Sequence, residues 1–348
     1  MSKVLITIMG LSLIAVPAAA FHDGGAANCN GCHTMHNSQD GTLVDPDSPN
    51  GNPWLLVDAS PSDVCIVCHD HIEHTVGSDP LAPPPLKGAG NFVYLFEDNL
   101  NDGHNGALNP IPGDAAGHNL NAPGAGLATD ATLTAAPGGT FPASVMSCTS
   151  CHDPHGTQDF RFLYGAGRVV QGGVATFTNA APVAEAGPSL FFGAEANDNH
   201  TAYQSGMSAW CGNCHGNFHN NNAQLVHPSG QTLGGTIATT YDLYNGTSDV
   251  LGGAAATSYL AAVPFEDAAN TPTSTAGPAA SSQVSCITCH RAHATSAPDA
   301  GRWDFSITLM DDDGVESGSY AIPNPYDHNQ RSLCNKCHRK DEFDHITP

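Results

Sequence analysis

Positive charge is scarce in this sequence. Ten Lys and Arg stand against 33 Asp and Glu in 348 residues, a formal net charge of -23. Nucleic acid and anionic membrane both reward cationic surfaces, so neither is expected as a partner. The balance permits cationic or mineral partners without identifying one, and most acidic residues read as solvated surface. Aromatic residues are also few: 13 Phe, 8 Tyr and 3 Trp, against 37 Gly and 25 Pro. Conventional side-chain cores are therefore not expected, although the length suffices for two ordinary domains. Beyond residue 20 no apolar run is long enough to span a bilayer, so no membrane span is expected. Finally, no cysteine is left over: all 12 fall into one recurring pattern.

The N-terminus has the layout of a secretory signal. Lys3 supplies the charge, Val4 to Ala15 the short apolar run, and Pro17 with Ala18-Ala19-Ala20 a small-residue cleavage site. Residues 1–20 are thus expected to be a signal peptide and 21–348 a single elongated mature unit beginning at Phe21. No cysteine lies at the cleavage site, so a lipid-anchored N-terminus is not indicated. An exported protein is expected, extracellular or at the cell surface, with the periplasm as the alternative.

The recurring pattern is Cys-x-x-Cys-His. It occurs at Cys29/Cys32/His33, Cys65/Cys68/His69, Cys148/Cys151/His152, Cys211/Cys214/His215, Cys286/Cys289/His290 and Cys334/Cys337/His338. Two thiols at this spacing can form thioether bonds to one haem, and the adjacent imidazole can ligate its iron. Zinc knuckles also use Cys-x-x-Cys, but neither they nor a disulfide framework needs histidine after every second cysteine. The sequence therefore predicts six covalent c-type haems. Such a chain should unravel without them, because cofactor binding is coupled to folding.

Between the motifs the spacing is irregular, which excludes a solenoid of fixed period. Asp45 to Pro53 and Ala135 to Pro142 are turn-rich connectors, and Pro83-Pro84-Pro85 favours an extended segment. Phe92 to Phe96 reads as a strand, Arg168 to Val170 as a short strand or loop, Tyr241 to Tyr259 as holding one short helix, and Asn270 to Ser282 as a loop. Short helices are expected at and just after each motif. The acidic Asp311-Asp312-Asp313-Gly314 run lacks the full spacing of a calcium loop and reads as a turn.

A haem iron with one histidine needs a sixth ligand or an open position. His36, His155 and His293 each follow a motif histidine by three residues. The tether holds them on the proximal side of their own haem, so each is placed to reach a neighbouring one. His71 is under the same constraint after His69. His118 lies in a loop from which it can reach inward, while His219 and His227 compete for a sixth role. His22, His74, His104, His200, His328 and His345 read as solvent or hydrogen-bonding histidines. Met35, Met146 and Met207 are read as packing apolar surface.

Several stretches carry a resemblance. They are Phe21-His-Asp-Gly-Gly, Cys29 to Gln39, Thr132 to Pro142, Cys148 to Gly156, Gly206 to His215, Cys286 to Ala294 and Leu333 to His338. In these the chain resembles the OmcS-type hexahaem nanowire cytochromes of metal-reducing bacteria. The resemblance implies a multihaem cytochrome c fold: mostly coil and loops, with short helices and few short strands, wrapped around a chain of six stacked haems. It implies bis-histidine ligation throughout. It further implies that His36 leaves its own subunit to ligate the haem held by Cys286, Cys289 and His290 in the next. Such a head-to-tail contact does not close on itself and builds a filament. Redox partner cytochromes and an extracellular metal oxide acceptor come from the same resemblance.

The expected function is electron conduction by such a filament, with no enzymatic chemistry. A monomeric periplasmic or surface shuttle needs the same haems with all ligands in one chain. A multihaem reductase needs one haem with an open coordination position.

Overall fold

Every motif folds as one tight helical turn. The computed structural model describes residues 28–69, 88–99, 113–170, 172–187, 195–219, 229–245, 251–312 and 333–338. In it Cys29–Gly31, Cys148–Ser150 and Leu333–Lys336 are short 3-10 helices. Helices α1 (Pro61–His69), α3 (Met207–Cys211) and α6 (Cys286–Cys289) carry the other motifs. The motif histidine N–H bonds the carbonyl of the first cysteine at 2.8 Å for His33, 3.0 Å for His152, His215 and His290, and 2.9 Å for His338. Cysteines three apart on such a turn share one face.

Local capping sets where these turns begin. Ser60 Oγ accepts from Asp63 N at 3.1 Å ahead of Pro61, a capped start with proline at the first position of α1. Ser147 with Ser150, and Ser285 with Thr288, form reciprocal capping boxes over the third and fifth motifs.

Between motifs there is little regular structure. Three two-stranded antiparallel ribbons occur among the described residues. They pair β1 (Ser38–Gln39) with β2 (Thr42–Leu43), β3 (Val169–Val170) with β4 (Ala175–Thr176), and β5 (Val183–Glu185) with β6 (Ala202–Ser205). Helices α2 (Gly113–Ala116), α4 (Gly216–His219) and α5 (Gly234–Leu243) complete the set described. The short strand at Val169–Val170 and the loop from Asn270 agree with expectation. Within 241–259 the expected short helix is the 3-10 turn Ala255–Thr257, while α5, which begins earlier, ends at Leu243.

Two readings are corrected. Phe92 to Phe96 is not a strand: Phe92–Asn99 is a 3-10 helix. Val93 and Tyr94 are adjacent and both buried, with no alternation of faces, while Phe92 stacks on His293 with ring centres 4.4 Å apart. A strand would send neighbours to opposite faces, and two adjacent buried residues beside a third packed on His293 break that alternation. Small side-chain cores also exist. Tyr241, Tyr259, Phe265, Trp303 and Met310 anchor one, and Phe141, Phe177, Tyr203, Met207 and Trp210 another. The few aromatics are concentrated instead of spread.

Charges are buried where these cores meet the fifth motif. Arg302 donates to the carbonyls of Ile287 (2.6 Å), Ala261 (3.0 Å) and Gly88 (3.2 Å). Glu195 Oε2 lies 3.5 Å from Arg302 and 3.7 Å from Arg291, close enough for attraction without a hydrogen bond. Removing one partner would strand the others without compensation. No helix of the described residues is long and apolar enough to cross a membrane. The segments at 1–20, 83–85 and 313–314 lie outside the described residues.

Candidate haem-ligation site

The turns hold the motif histidines by their outer nitrogens. Nδ1–H of His33 donates to the Trp54 carbonyl at 3.0 Å, that of His152 to Arg161 at 2.7 Å, and that of His290 to Asp299 at 2.9 Å. His215 donates to Pro137 at 2.8 Å. Each bond fixes the tautomer that leaves Nε2 bare and raises its basicity, as the outer partner of a metal-bound histidine does. Pro137 reaches His215 because the 135–142 connector packs directly on the fourth motif. A Cβ on Gly139 would lie 1.6 Å from the Cys214 carbonyl, so only glycine permits that approach.

Three of these histidines face a second imidazole from elsewhere in the chain. His33 faces His155 with ring centres 6.3 Å apart and planes 8° from parallel. His152 faces His293 at 6.4 Å, and His215 faces His118 at 6.0 Å. Metal–imidazole bonds of about 2.0–2.1 Å, with each ring centre roughly 1.1 Å behind its nitrogen, would put two rings on one ion about 6.3 Å apart. The spacing of each pair is that of two imidazoles on one iron, with planes 65° apart for His152–His293 and 53° for His215–His118.

His118 is itself braced, its Nδ1–H donating to the Ala292 carbonyl at 2.7 Å and its N–H to His293 O at 2.9 Å. Gly117 makes room, since a Cβ there would sit 2.2 Å from His293 O. Desolvation, then the opposed imidazole, pushes His118 down to about 4 and His293 to about 3. Desolvation lowers His152 and His215 too. All four are thus held in the neutral form that binds metal.

The motifs also touch one another. Cys65 and Cys148 are within hydrogen-bond reach, as are Cys211 and Cys286. That contact, then burial, pushes Cys65 and Cys211 up, and it draws Cys148 and Cys286 down. Ser62 Oγ accepts from Cys148 N, and Ser208 Oγ from Cys286 N, both at 3.2 Å. The second motif is thereby fastened to the third and the fourth to the fifth. All the cysteines are free, and no group of three or more His, Cys, Asp or Glu converges among the described residues, as a structural zinc site would require.

The two cysteines of the second motif differ in exposure: Cys65 is half-buried whereas Cys68 is exposed. The cause lies in how α1 is held. Its buried residues are Ser62, Asp63 and Val64, all in the first turn. The last turn, with Val67 69% exposed and His69 exposed beside Cys68, is turned to solvent. Cys65 is covered by Cys148 of the third motif. Cys29 and Cys334, at the two ends of the motif series, are exposed as well.

His36 and His290 are exposed, and no described histidine ring faces either at the paired spacing. His69 and His338 sit at the ends of their motif turns. His219 ends α4, and His71 and His227 lie outside the described residues. His200 is buried, with ring nitrogens 3.2 and 3.0 Å from the Thr201 and Ser274 carbonyls, so it is engaged in hydrogen bonding. Met207 packs in a core, whereas Met35 is 74% exposed, against expectation. Sequence reasoning missed the carbonyls of Trp54, Arg161, Asp299 and Pro137, since a main-chain acceptor has no residue signature. Ser62 and Ser208 were legible in principle: each stands three residues before a motif.

No protein-family model matches the chain. The C-type cytochrome OmcS of Geobacter sulfurreducens is 32% identical over 438 aligned positions, covering 97% of this chain and 99% of the relative. The chain belongs to the OmcS family of c-type cytochromes. The backbone is similar to the cryo-EM structure of the OmcS nanowires, with a TM-score of 0.78 and 29% identity over 92% of this chain and 100% of that one. A second structure, the outer membrane cytochrome S filament of the same organism, gives 0.77 and 30% over the same shares. The coil-rich path with short helices is the OmcS fold. As a c-type cytochrome the protein carries covalently bound haem c and transfers electrons.

Proposed function

We propose that this chain holds six haems, one per motif, and that its subunits join head to tail into an extracellular electron-conducting filament. Residues 21–348 act as one unit after removal of 1–20. Bound haem supplies one-electron iron chemistry. The protein's part is to attach it, ligate it from both sides and hold its neighbours close. His33 with His155, His152 with His293 and His215 with His118 are the axial pairs supported by spacing.

One observation carries the filament. The second histidine of the third motif, His155, faces the first motif, and that of the fifth, His293, faces the third. The register leaves one donor and one acceptor: His36, the second histidine of the first motif, and His290, the motif histidine of the fifth. Both are exposed. Continued between subunits, the same step sets His36 of the next subunit on His290.

The cysteine contacts extend in the same way. After Cys65 with Cys148 and Cys211 with Cys286, the exposed Cys334 would meet Cys29 of the next subunit. Met35 and Trp54, 74% and 61% exposed beside the first motif, give that joint an apolar rim. The relatives bearing the names nanowire and filament support the same assembly.

His36→Ala tests it. The variant should keep six haems by intact mass, expose one five-coordinate iron, and form short filaments or none by electron microscopy. Normal polymers with every iron low-spin would remove His36 from the joint.

A further inference from the structure

Among the described residues eight non-glycine positions have positive φ, and six form three consecutive pairs: Trp54-Leu55, Arg161-Phe162 and Asp299-Ala300, with φ from 53° to 60°. Left-handed backbone costs a side-chain-bearing residue roughly 1–2 kcal/mol. Three repeats of so unfavourable a pair point to a use.

Each pair occupies the same place. The first residue's carbonyl accepts Nδ1–H of a motif histidine: Trp54 for His33, Arg161 for His152, Asp299 for His290. The second residue's carbonyl accepts the N–H following that histidine, as Leu55 with Thr34 (2.7 Å), Phe162 with Asp153 (2.8 Å) and Ala300 with Arg291 (2.8 Å). Two residues on, a return bond runs to the second motif cysteine: Val57 to Cys32 (3.0 Å), Tyr164 to Cys151 (3.0 Å) and Arg302 to Cys289 (2.7 Å). The pair follows its histidine by 21 residues in the first case and by 9 in the other two, so geometry, not chain length, is preserved. The side chains share no chemistry either.

We propose that the left-handed pairs at 54–55, 161–162 and 299–300 are positioning elements that set the reduction potential of the first, third and fifth haems. The idea rests on haem ligation by His33, His152 and His290. A two-residue left-handed turn points two successive carbonyls at the motif, one to the imidazole and one to the backbone beside it. Donation from Nδ1–H makes the ring a stronger donor, which favours ferric iron and lowers the potential. At the fourth motif the same imidazole bond comes from Pro137, with the positive φ falling on Gly138 instead, whose carbonyl accepts from Asn217 N at 2.8 Å.

Arg161 offers the test, because Arg161→Val and Arg161→Gly both remove the guanidinium. Glycine holds positive φ freely, whereas a β-branched residue does not. Intact mass and electron paramagnetic resonance first establish six low-spin haems in each, which tests the ligation reading by itself. In spectroelectrochemical titration the glycine variant should move the midpoints only by the effect of the lost charge, largest at the third haem and shared by the valine variant. The valine variant should show one midpoint higher than in the glycine variant by about tenfold in oxidised-to-reduced ratio, ~59 mV. Asp299→Val against Asp299→Gly repeats the comparison at the fifth motif. Asp299→Asn, which tolerates positive φ, should behave as the glycine variant. Valine and glycine variants with superimposable titrations, at both sites, would overturn the proposal. So would a valine variant that loses haem where the asparagine variant does so equally.

Discussion

Replacing His118 with alanine probes one axial pair in isolation. The ring faces His215 across 6.0 Å, belongs to no motif, and lies in a chain segment remote from His36. Attachment uses motif residues only, so the variant should still carry six haems. One iron in six should lose a ligand, so spin quantification by electron paramagnetic resonance should show one high-spin iron per chain. The folding cost should be modest. The lost Nδ1–H bond to the Ala292 carbonyl, 2.7 Å long, costs about 1–3 kcal/mol if that oxygen stays dry, and less because Ala292 is exposed. The backbone bond from residue 118 to His293 O survives the substitution. Against a typical stability of roughly 5–15 kcal/mol, the variant stays folded. Added imidazole should bind one equivalent and restore the low-spin spectrum. A variant with every iron low-spin and no uptake of imidazole would refute the His118–His215 pairing, whatever it did to stability.

Other outcomes follow from single contacts. Gly139→Ala should displace the 135–142 connector from the fourth motif, because its Cβ would fall 1.6 Å from Cys214 O; the expected sign is lower thermal stability with one perturbed haem spectrum. Lys336→Met should cost about 2–4 kcal/mol in denaturant unfolding, because Lys336 Nζ donates to the Tyr241 and Tyr244 carbonyls at 2.8 and 3.1 Å and lies 4.2 Å from the Tyr241 ring centre. Glu266, accepting from Met207 N at 2.6 Å, is pushed up in pKa by desolvation. Between its ordinary and its folded pKa the native state binds more protons than the unfolded one, so this group's contribution to stability is present at low pH and lost as pH rises through the folded value. Glu266→Gln should therefore raise the melting temperature at pH 8 more than at pH 5; an equal change at both would refute the assignment.

How much of this was legible in the sequence depends on whether side chains or backbone carry the information. The six motifs are spelled by cysteine and histidine, and His118, His155 and His293 stand out once a second ligand is sought. Which motif each one faces could not be read, because the connectors that deliver them have no periodic pattern to fix a direction. Nor could the unequal exposure of Cys65 and Cys68, since it depends on where the third motif lands against α1. Gly117 and Gly139 illustrate the difficulty: they read as ordinary turn glycines until the carbonyls of His293 and Cys214 are seen against them. The Phe92 run misled because five apolar residues in a row carry no period, and contact with His293 decides between helix and strand.

The irregular motif spacing conceals a repeat that becomes visible only in contacts. Histidines link motif three to one and five to three, a step of two. Cysteine and serine contacts link two to three and four to five, a step of one that skips every other junction. The left-handed pairs mark motifs one, three and five. These three features share one period, two motifs long. A sequence period fails to appear because connector length is free to vary while the bonds at each end are not, as the separations of 21 and 9 residues between histidine and turn demonstrate. A chain built this way has no natural end: its last pair offers what its first pair lacks. On the proposed joint, polymerisation would require no surface beyond those the subunit already uses inside itself: His36 and Cys29, exposed at one end, match in type the internal residues that His290 and Cys334 would receive.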